Sequence, residues 1–349
     1  MNNELRYALY HSKKTLFRLA IMVLFCLIIV NAEIHSSYTP YNSSLPVHYF
    51  SLVMFGIDMV AMASIVPMLE FAEFKNRRNL DTWYSLPLDR WKLAVIHTLN
   101  GAIQIFVAHT ISFLWGLIKV APYVKECNLH MSVMVEMYFV ILGVGLVYYG
   151  FVMFPFMVAN NTFDGVMFAG FYNLIPVLLY DVVYGTLVGS HFDSIFATGP
   201  ISGVAGLAEF YSDYLSVDRS GRAAPYLDTG DIIWMFIWIF IGVLFLILSI
   251  RFFNMKKTEK IGGISDSPFG YTVLIPVTMF SILLSAGGEP IIGIIYGIVT
   301  LILYVIFRRG IRLRIPDIVI IAIVTIMGNI PVQYLREVRR LIMAVSRIK

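Results

Sequence analysis

The stretch Asn79–Ala94, NLDTWYSLPLDRWKLA, is charged at both ends, carries a proline in its middle and lies between two long apolar runs. Its chemistry is mechanical rather than covalent. From Phe74 onward, helical spacing puts Leu80, Trp83 and Tyr84 on one face, and Glu73, Lys75, Asn76, Arg77, Arg78 and Asp81 around the other. Pro87 blocks continuation of a helix and pushes Leu86 toward an extended backbone. Asp89 stands where a helix N-cap is wanted. Leu88 and Leu93 occupy the two positions of a hydrophobic staple. The expected structure is a short amphipathic helix, a hard corner and a stapled start to the next helix. A stiff piece of this kind can pass a push from a soluble partner into the helices it joins. An interfacial helix resting on lipid headgroups accounts for Trp83, Trp91 and the basic residues equally well.

A second group of polar residues is embedded in the apolar runs. Asp58, Glu136 and Asp181 are the ionisable ones. A charge at the centre of a bilayer costs about 2.5–3.5 kcal/mol on insertion scales, so such groups face a partner or a cavity. Asp58 is the most central. A hydrogen-bonded interhelical group is the simpler reading of it, a pathway or proton site the sharper one. His97, Asn100 and Gln104 recur at helical spacing with Gly101 beside them. This stripe must turn from lipid, toward a neighbouring helix or a translocation surface. Asp58, His97, Asn100, Gln104 and Asp181 are thus the candidates for such a surface. No second ligand cluster is expected to face the stripe, so no metal site is assigned. Cys26 and Cys127 form no CxxC or Cys/His cluster. No nucleophile elbow, HExxH or paired carboxylates stand out. No catalytic or cofactor-binding residue is assigned in this chain.

The elements that position these residues follow from composition. Of 349 residues, 58% are hydrophobic and 14% charged. Soluble domains average about 45–50% apolar and about 25% charged. The chain belongs to the membrane class, and a net charge of +4 argues for no nucleic-acid partner. Eight segments are long enough to cross a bilayer as helices: Leu16–Ala32, His48–Leu69, Ala94–Ile118, Ser132–Val158, Val166–Val188, Ile232–Ile250, Phe269–Ser285 and Pro290–Phe307. The first is read as a retained span rather than a cleaved leader. The expected fold is therefore all-α and polytopic, a single transmembrane domain over residues 1–349, with a short amphipathic helix between the second and third spans. If the spans alternate, 17 Lys and Arg residues fall on one side and 4 on the other. The basic side is cytoplasmic. The N-terminus and the loop at 70–93 lie there. The loop at 189–231 is external, acidic, and apolar and glycine-rich in its first half. Ile315–Leu335 is interrupted by Pro316, Asp317, Gly328, Asn329 and Pro331. It is expected to be re-entrant or surface-lying, with the basic tail to residue 349 inside.

The run NRRNLDTWYSLPLDRWKLAVIHTLNG resembles the cytoplasmic loop of type-2 ATP-binding-cassette (ABC) transporter permeases. The matching residues are Glu73, Asn79, Thr82, Ser85, Leu86, Pro87, Leu88, Arg90, Leu93, Leu99 and Gly101. Asp89 stands where the family usually has serine, and His97 lies near the place of a frequent lysine. The likeness extends loosely through the first six spans, whereas eight are expected here. The resemblance implies a coupling helix seated on a cytoplasmic ATPase subunit, with Glu73, Asn79, Asp81, Trp83, Leu86, Pro87, Asp89 and Arg90 in the coupling. It also implies a second permease, as a copy or a paralogue, in the lipid of a bacterial cell membrane. ATP and Mg would belong to the ATPase partner. The chain has no GxxxxGK[ST] phosphate loop of its own.

Two other functions fit parts of the sequence. An ion-coupled secondary transporter would use Asp58 and Asp181, although no repeat symmetry accompanies them. A non-transporting scaffold or sensor would be built around the external acidic loop.

Overall fold

The long apolar runs become helices because a backbone withdrawn from water must satisfy its N–H and C=O groups within its own segment. The computed structural model describes residues 3–36, 53–79, 83, 85–121, 131–182, 198–216, 227, 229–265, 267–285, 290–310 and 314–328. The helices in chain order are α1 (Asn3–Lys14), α2 (Leu16–Ser36), α3 (Val53–Phe71), α4 (Arg90–Val120), α5 (Met131–Val158), α6 (Thr162–Tyr180), α7 (Pro200–Ser216), α8 (Thr229–Met255), α9 (Tyr271–Ser285), α10 (Pro290–Arg308) and α11 (Ile315–Gly328). No strand occurs among the described residues.

Helices α3, α4, α5, α6 and α8 are long and apolar enough to cross a membrane. The pair α1 and α2, bent by 47° at the break between them, makes a sixth if counted as one span. This is a polytopic helical architecture. Among the described residues five or six helices reach that length, where sequence spacing leads one to expect eight spans. Helix α9 has 15 residues, about 22 Å of rise against a hydrocarbon core about 30 Å thick. The apolar parts of α10 and α11, Ile294–Arg308 and Ile315–Ile326, are also short.

The chain divides into two compact units. The first comprises Met1–Phe74, Arg78–Phe154 and Pro200–Lys256. Within it α3 packs against α2, α4 and α7, and α4 also meets α1, α2 and α8. Helix α7 is the apolar, glycine-rich half of the loop expected to be external. It lies so close on α3 that a Cβ at Gly56 would sit 2.8 Å from Ala208 Cβ. Tyr211 on α7 donates to Glu136 on α5 at 3.0 Å. Helices α5 and α8 cross through Gly150 and Gly242. A Cβ on Gly242 would fall 2.6 Å from the Val147 carbonyl oxygen, and one on Gly150 would fall 2.8 Å from the Gly242 carbonyl oxygen. Small residues allow such backbone approach where lipid supplies no hydrophobic drive. The sequence pair Gly185–Gly189 lies outside the described residues, and Gly297 of the pair Gly293–Gly297 faces open space.

The second unit comprises Lys75–Arg77, Pro155–Gly199 and Lys257–Lys349. Helix α9 packs against α6, α10 and α11. Its polar end is a knot around Asp164, in the first turn of α6. Asp164 accepts from Asn161 Nδ2 (2.5 Å), Ser265 Oγ (2.5 Å) and the Tyr271 hydroxyl (3.1 Å). Asn161 caps α6 by accepting from the Asp164 N–H at 2.8 Å. Lys75 donates to the carbonyls of Phe156 and Ala159, Arg77 to that of Ile261, and Arg309 to those of Gly262 and Gly263. Gly262 has φ +73°, a backbone region that favours glycine. Residues from the segments following the second, fourth, sixth and eighth apolar runs therefore meet within this unit.

Helix α11 begins where the sequence suggested interruption. Pro316 sits in its first turn, where a missing N–H costs little. Asp317 accepts from the Arg314 backbone N–H at 3.0 Å, in the manner of a capping box. The Asp317 carboxylate also takes both a 2.9 Å and a 2.5 Å bond from Arg308 on α10. The two residues read as breakers therefore start a helix that turns back along α9. Residues 329–349 lie outside the described residues.

The close α5–α8 crossing predicts that Gly242→Ile lowers stability by about 1–3 kcal/mol, the usual cost of overpacking. Gly143→Ala, in the same membrane-crossing layer but with nothing within 4 Å of the added carbon, leaves it unchanged or raises it. Unfolding of the two variants in detergent micelles compares them directly.

Candidate functional site

Glu70 lies one residue before the end of α3 and is 2% exposed. A carboxylate so buried costs several kcal/mol unless its oxygens are met. Five side chains meet it. Oε1 accepts from Arg18, from Asn100 Nδ2 at 2.8 Å and from Gln104 Nε2 at 2.8 Å. Oε2 lies 2.8 Å from His11 Nε2 and 3.0 Å from His97 Nδ1. A second ring holds these partners in place. The Tyr7 hydroxyl is 2.8 Å from His97 Nε2, Ser12 Oγ donates to Asn100 Oδ1 at 3.0 Å, and Arg18 Nε donates to Gln104 Oε1 at 3.1 Å. Asn100 Nδ2 also reaches Thr15 Oγ1 at 3.2 Å.

Helical spacing delivers each partner. His97, Asn100 and Gln104 share one face of α4. Tyr7 and His11 are one turn apart on α1, whose other face exposes Leu5, Leu9 and Tyr10. The polar stripe read from the sequence therefore turns toward α1 and the end of α3. Among the candidates for a translocation surface, His97, Asn100 and Gln104 come together here. Asp58 does not join them: it sits further along α3, accepting from Ser112 Oγ at 3.0 Å. Its other oxygen, Oδ1, is buried without a hydrogen-bond partner. Asp181 is an exposed residue at the end of α6, in the second unit.

The segment expected to couple to a partner hangs directly on this node. In place of an α-helix from Phe74, the chain makes two 3-10 turns, Glu73–Lys75 and Arg77–Asn79. Leu80, Asp81, Thr82 and Tyr84 lie outside the described residues. Phe74 is buried and meets His97 and Phe253 edge-on, at centroid distances of 4.8 and 5.2 Å. A regular helix from Phe74 gives way to turns that seat this ring. Trp83 lies 4.9 Å from Phe74 and 5.9 Å from His97 between ring centroids, with Lys14 Nζ 5.6 Å from its own ring.

Beyond Trp83 the chain turns at Leu86–Leu88, where the Leu88 N–H reaches the Leu86 carbonyl at 2.8 Å. Ser85, Pro87 and Asp89 are exposed, while Leu86 and Leu88 are half-buried. Asp89 occupies the N-cap position of α4, with φ −62° and ψ 138°, but its side chain makes no capping hydrogen bond. The carboxylate instead pairs with Lys92 at 3.1 Å, and Lys92 pairs with Glu4 of α1 at 2.7 Å. Arg90 donates to the Lys256 carbonyl just past the end of α8, at 3.1 Å. Glu73 is exposed, 3.8 Å from Lys14, and Asn79 is half-buried.

No family model, curated protein or solved structure matches the chain. Its chemistry must be read from its own residues. The Glu70 node is a fixed polar junction joining four helices, α1 to α4, beneath an exposed corner. Sequence reasoning located its α4 face but not Glu70, His11, Arg18 or Tyr7. In the sequence Glu70 stands as the first residue of the loop at 70–93. The available signal is the spacing of Tyr7 and His11 before the break and Arg18 just after it, together with an acid at the end of an apolar run.

Glu70→Ala leaves the partly buried Arg18 and two amides without their acceptor. Loss of one partner of a buried pair costs about 3–5 kcal/mol. Denaturant titration of the purified variant is expected to register that loss, with α1 becoming the first site of limited proteolysis. Proteolysis indistinguishable from wild type would show that α1 is held by other contacts.

Proposed function

We propose that this chain is the membrane-spanning permease subunit of an ABC exporter. On this reading it is a multi-pass protein of the bacterial cell membrane with its N-terminus in the cytoplasm. It pairs with a second permease copy or a paralogue. Separate cytoplasmic ATPase subunits bind ATP and Mg and drive it. The observation that carries the reading is the exposed Ser85–Asp89 corner, mounted on a rigid aromatic and polar base at the starts and ends of several helices. Its sequence has the likeness to permease coupling loops described above. Lys75, Arg77 and Arg309, from two of the basic segments, meet within the second unit and add support, since segments rich in Lys and Arg are the cytoplasmic ones.

The mechanism follows from the connections. A push on Pro87 enters α4 through its first turn, because the Leu93 N–H is bonded to the Asp89 carbonyl at 3.0 Å. It reaches the end of α8 through Arg90 and the α1 helix through the Asp89–Lys92–Glu4 chain. Substrate movement would then follow from displacement of these helices.

One observation favours a second reading. The unpartnered buried Oδ1 of Asp58 suits a proton site in an ion-coupled secondary transporter.

The experiment is affinity purification of the full chain with its membrane partners, followed by ATPase assay. An ATPase subunit is expected to co-purify. Pro87→Gly, which loosens the corner without adding bulk, and Asp89→Ala are expected to lower chain-dependent ATPase activity several-fold while leaving protein yield unchanged. Absence of any ATPase, with transport abolished by a protonophore and indifferent to ATP depletion, would replace this reading by the second.

A further inference from the structure

We infer that His11, Glu70 and His97 form a binding site for a divalent transition-metal ion of the zinc class, which staples α1 to α3 and α4. The inference does not depend on an ATPase partner. One candidate ligand atom from each residue lies within 4.8 Å of the others, and all three residues are buried. Two imidazoles and a carboxylate are a donor set that zinc accepts with a fourth position left for water.

The carboxylate's own geometry carries the argument furthest. Five donors crowd Glu70, three on Oε1 and two on Oε2. An ionised carboxylate offers about four lone-pair directions. The distribution is also uneven in kind. The Arg18, Asn100 and Gln104 N–H groups occupy Oε1, leaving Oε2 facing only the two imidazole nitrogens. A single metal ion bonded to Oε2, His11 Nε2 and His97 Nδ1 replaces two competing hydrogen bonds with three coordinate bonds. Bonds of about 2.0–2.1 Å in a tetrahedral arrangement place ligand atoms about 3.3 Å apart. The separations of 2.8 and 3.0 Å from Oε2 need to widen by a few tenths of an ångström, and the two imidazole nitrogens, within 4.8 Å of each other, need to settle near the same spacing.

The surroundings have the features of a metal centre's outer shell. Metal-bound histidine usually passes its other ring N–H to an oxygen, and a bound carboxylate is itself hydrogen-bonded. Here His97 Nε2 faces the Tyr7 hydroxyl at 2.8 Å, and the free oxygen of Glu70 holds three donors. Phe71, Phe74 and Trp83 surround the His97 ring and limit access of water. Arg18 lies on Oε1, the oxygen away from the two imidazoles, where it offsets the charge of the carboxylate.

The test uses the full chain in detergent or nanodiscs, stripped with chelator and reloaded with Zn²⁺ or Co²⁺. One equivalent of zinc per chain is expected to survive dialysis, and zinc to raise the thermal midpoint of the stripped protein. Cobalt is expected to give the intense visible bands of four-coordinate geometry. His11→Gln, on a helix outside the apolar core, and His97→Gln are expected to abolish both. Tyr7→Phe, which removes only the outer hydrogen bond, is expected to weaken zinc affinity about 10–100-fold. A monodisperse wild-type chain that retains no metal and gives no cobalt bands overturns the inference. So does undiminished loading of a His11→Gln/His97→Gln double variant. Neither result bears on whether an ATPase co-purifies, so the two readings fail separately.

Discussion

A carboxylate at the end of an apolar helix sets a condition that much of the first unit satisfies. Glu70 cannot remain charged and dry alone, so polar groups from α1, α2 and α4 converge on it. That convergence explains features that look unrelated in the sequence. The N-terminal helix α1 is short and amphipathic because it brings Tyr7 and His11 to the node and keeps apolar side chains on its other face. The 47° bend before α2 lets α1 reach Glu70 while α2 runs on as an apolar helix carrying Arg18. The polar stripe of α4 is tolerated in an apolar setting because it ends on an acid.

The second unit repeats the principle with a different acid. Asp164 collects Asn161, Ser265 and Tyr271, and the nearby carbonyls at 156, 159 and 261–263 collect Lys75, Arg77 and Arg309. Here the cations meet backbone oxygens, which helix ends and tight turns leave without internal partners. Lys and Arg that read as a topological bias thus have local structural tasks as well. A residue can obey the positive-inside tendency and still be committed to one carbonyl.

The helical class and the long runs were legible in the sequence because hydrophobicity over about 20 residues is a strong, local signal. Boundaries at α3, α5 and α8 fall within a few residues of expectation. The weaker points share one cause: they depend on partners far away in the chain. The Asp89 cap was read from its position, but Lys92 and Glu4 draw its carboxylate away. The 3-10 turns at Glu73–Asn79 arise where Phe74 seats among His97, Trp83 and Phe253, which no local spacing announces. Pro316 and Asp317 looked like interruptions because their sequence alone does not say that a helix begins there, nor that Arg308 waits across the turn. The α4 face of the Glu70 node was visible as a stripe. Its other half was not, since a single acid or histidine near a helix end has no period to reveal it.

The same arrangement bears on how a corner such as Ser85–Asp89 can act at a distance. A loop on a soft base absorbs a push in its own dihedral angles. This corner has proline at its apex, which fixes one of them, and its two sides are differently held. Trp83 rests on Phe74 and His97 on one side, and Arg90 grips the end of α8 on the other. His97 belongs to the first turns of α4 and touches Glu70, so ring, imidazole and carboxylate form one continuous packed path from the corner to α3. Displacement of the corner without displacement of α4 would have to break that path at a buried hydrogen bond. On the coupling reading, the less costly motion would carry α1, α2, α3 and the start of α4 together, because the Glu70 node ties these helices to one another.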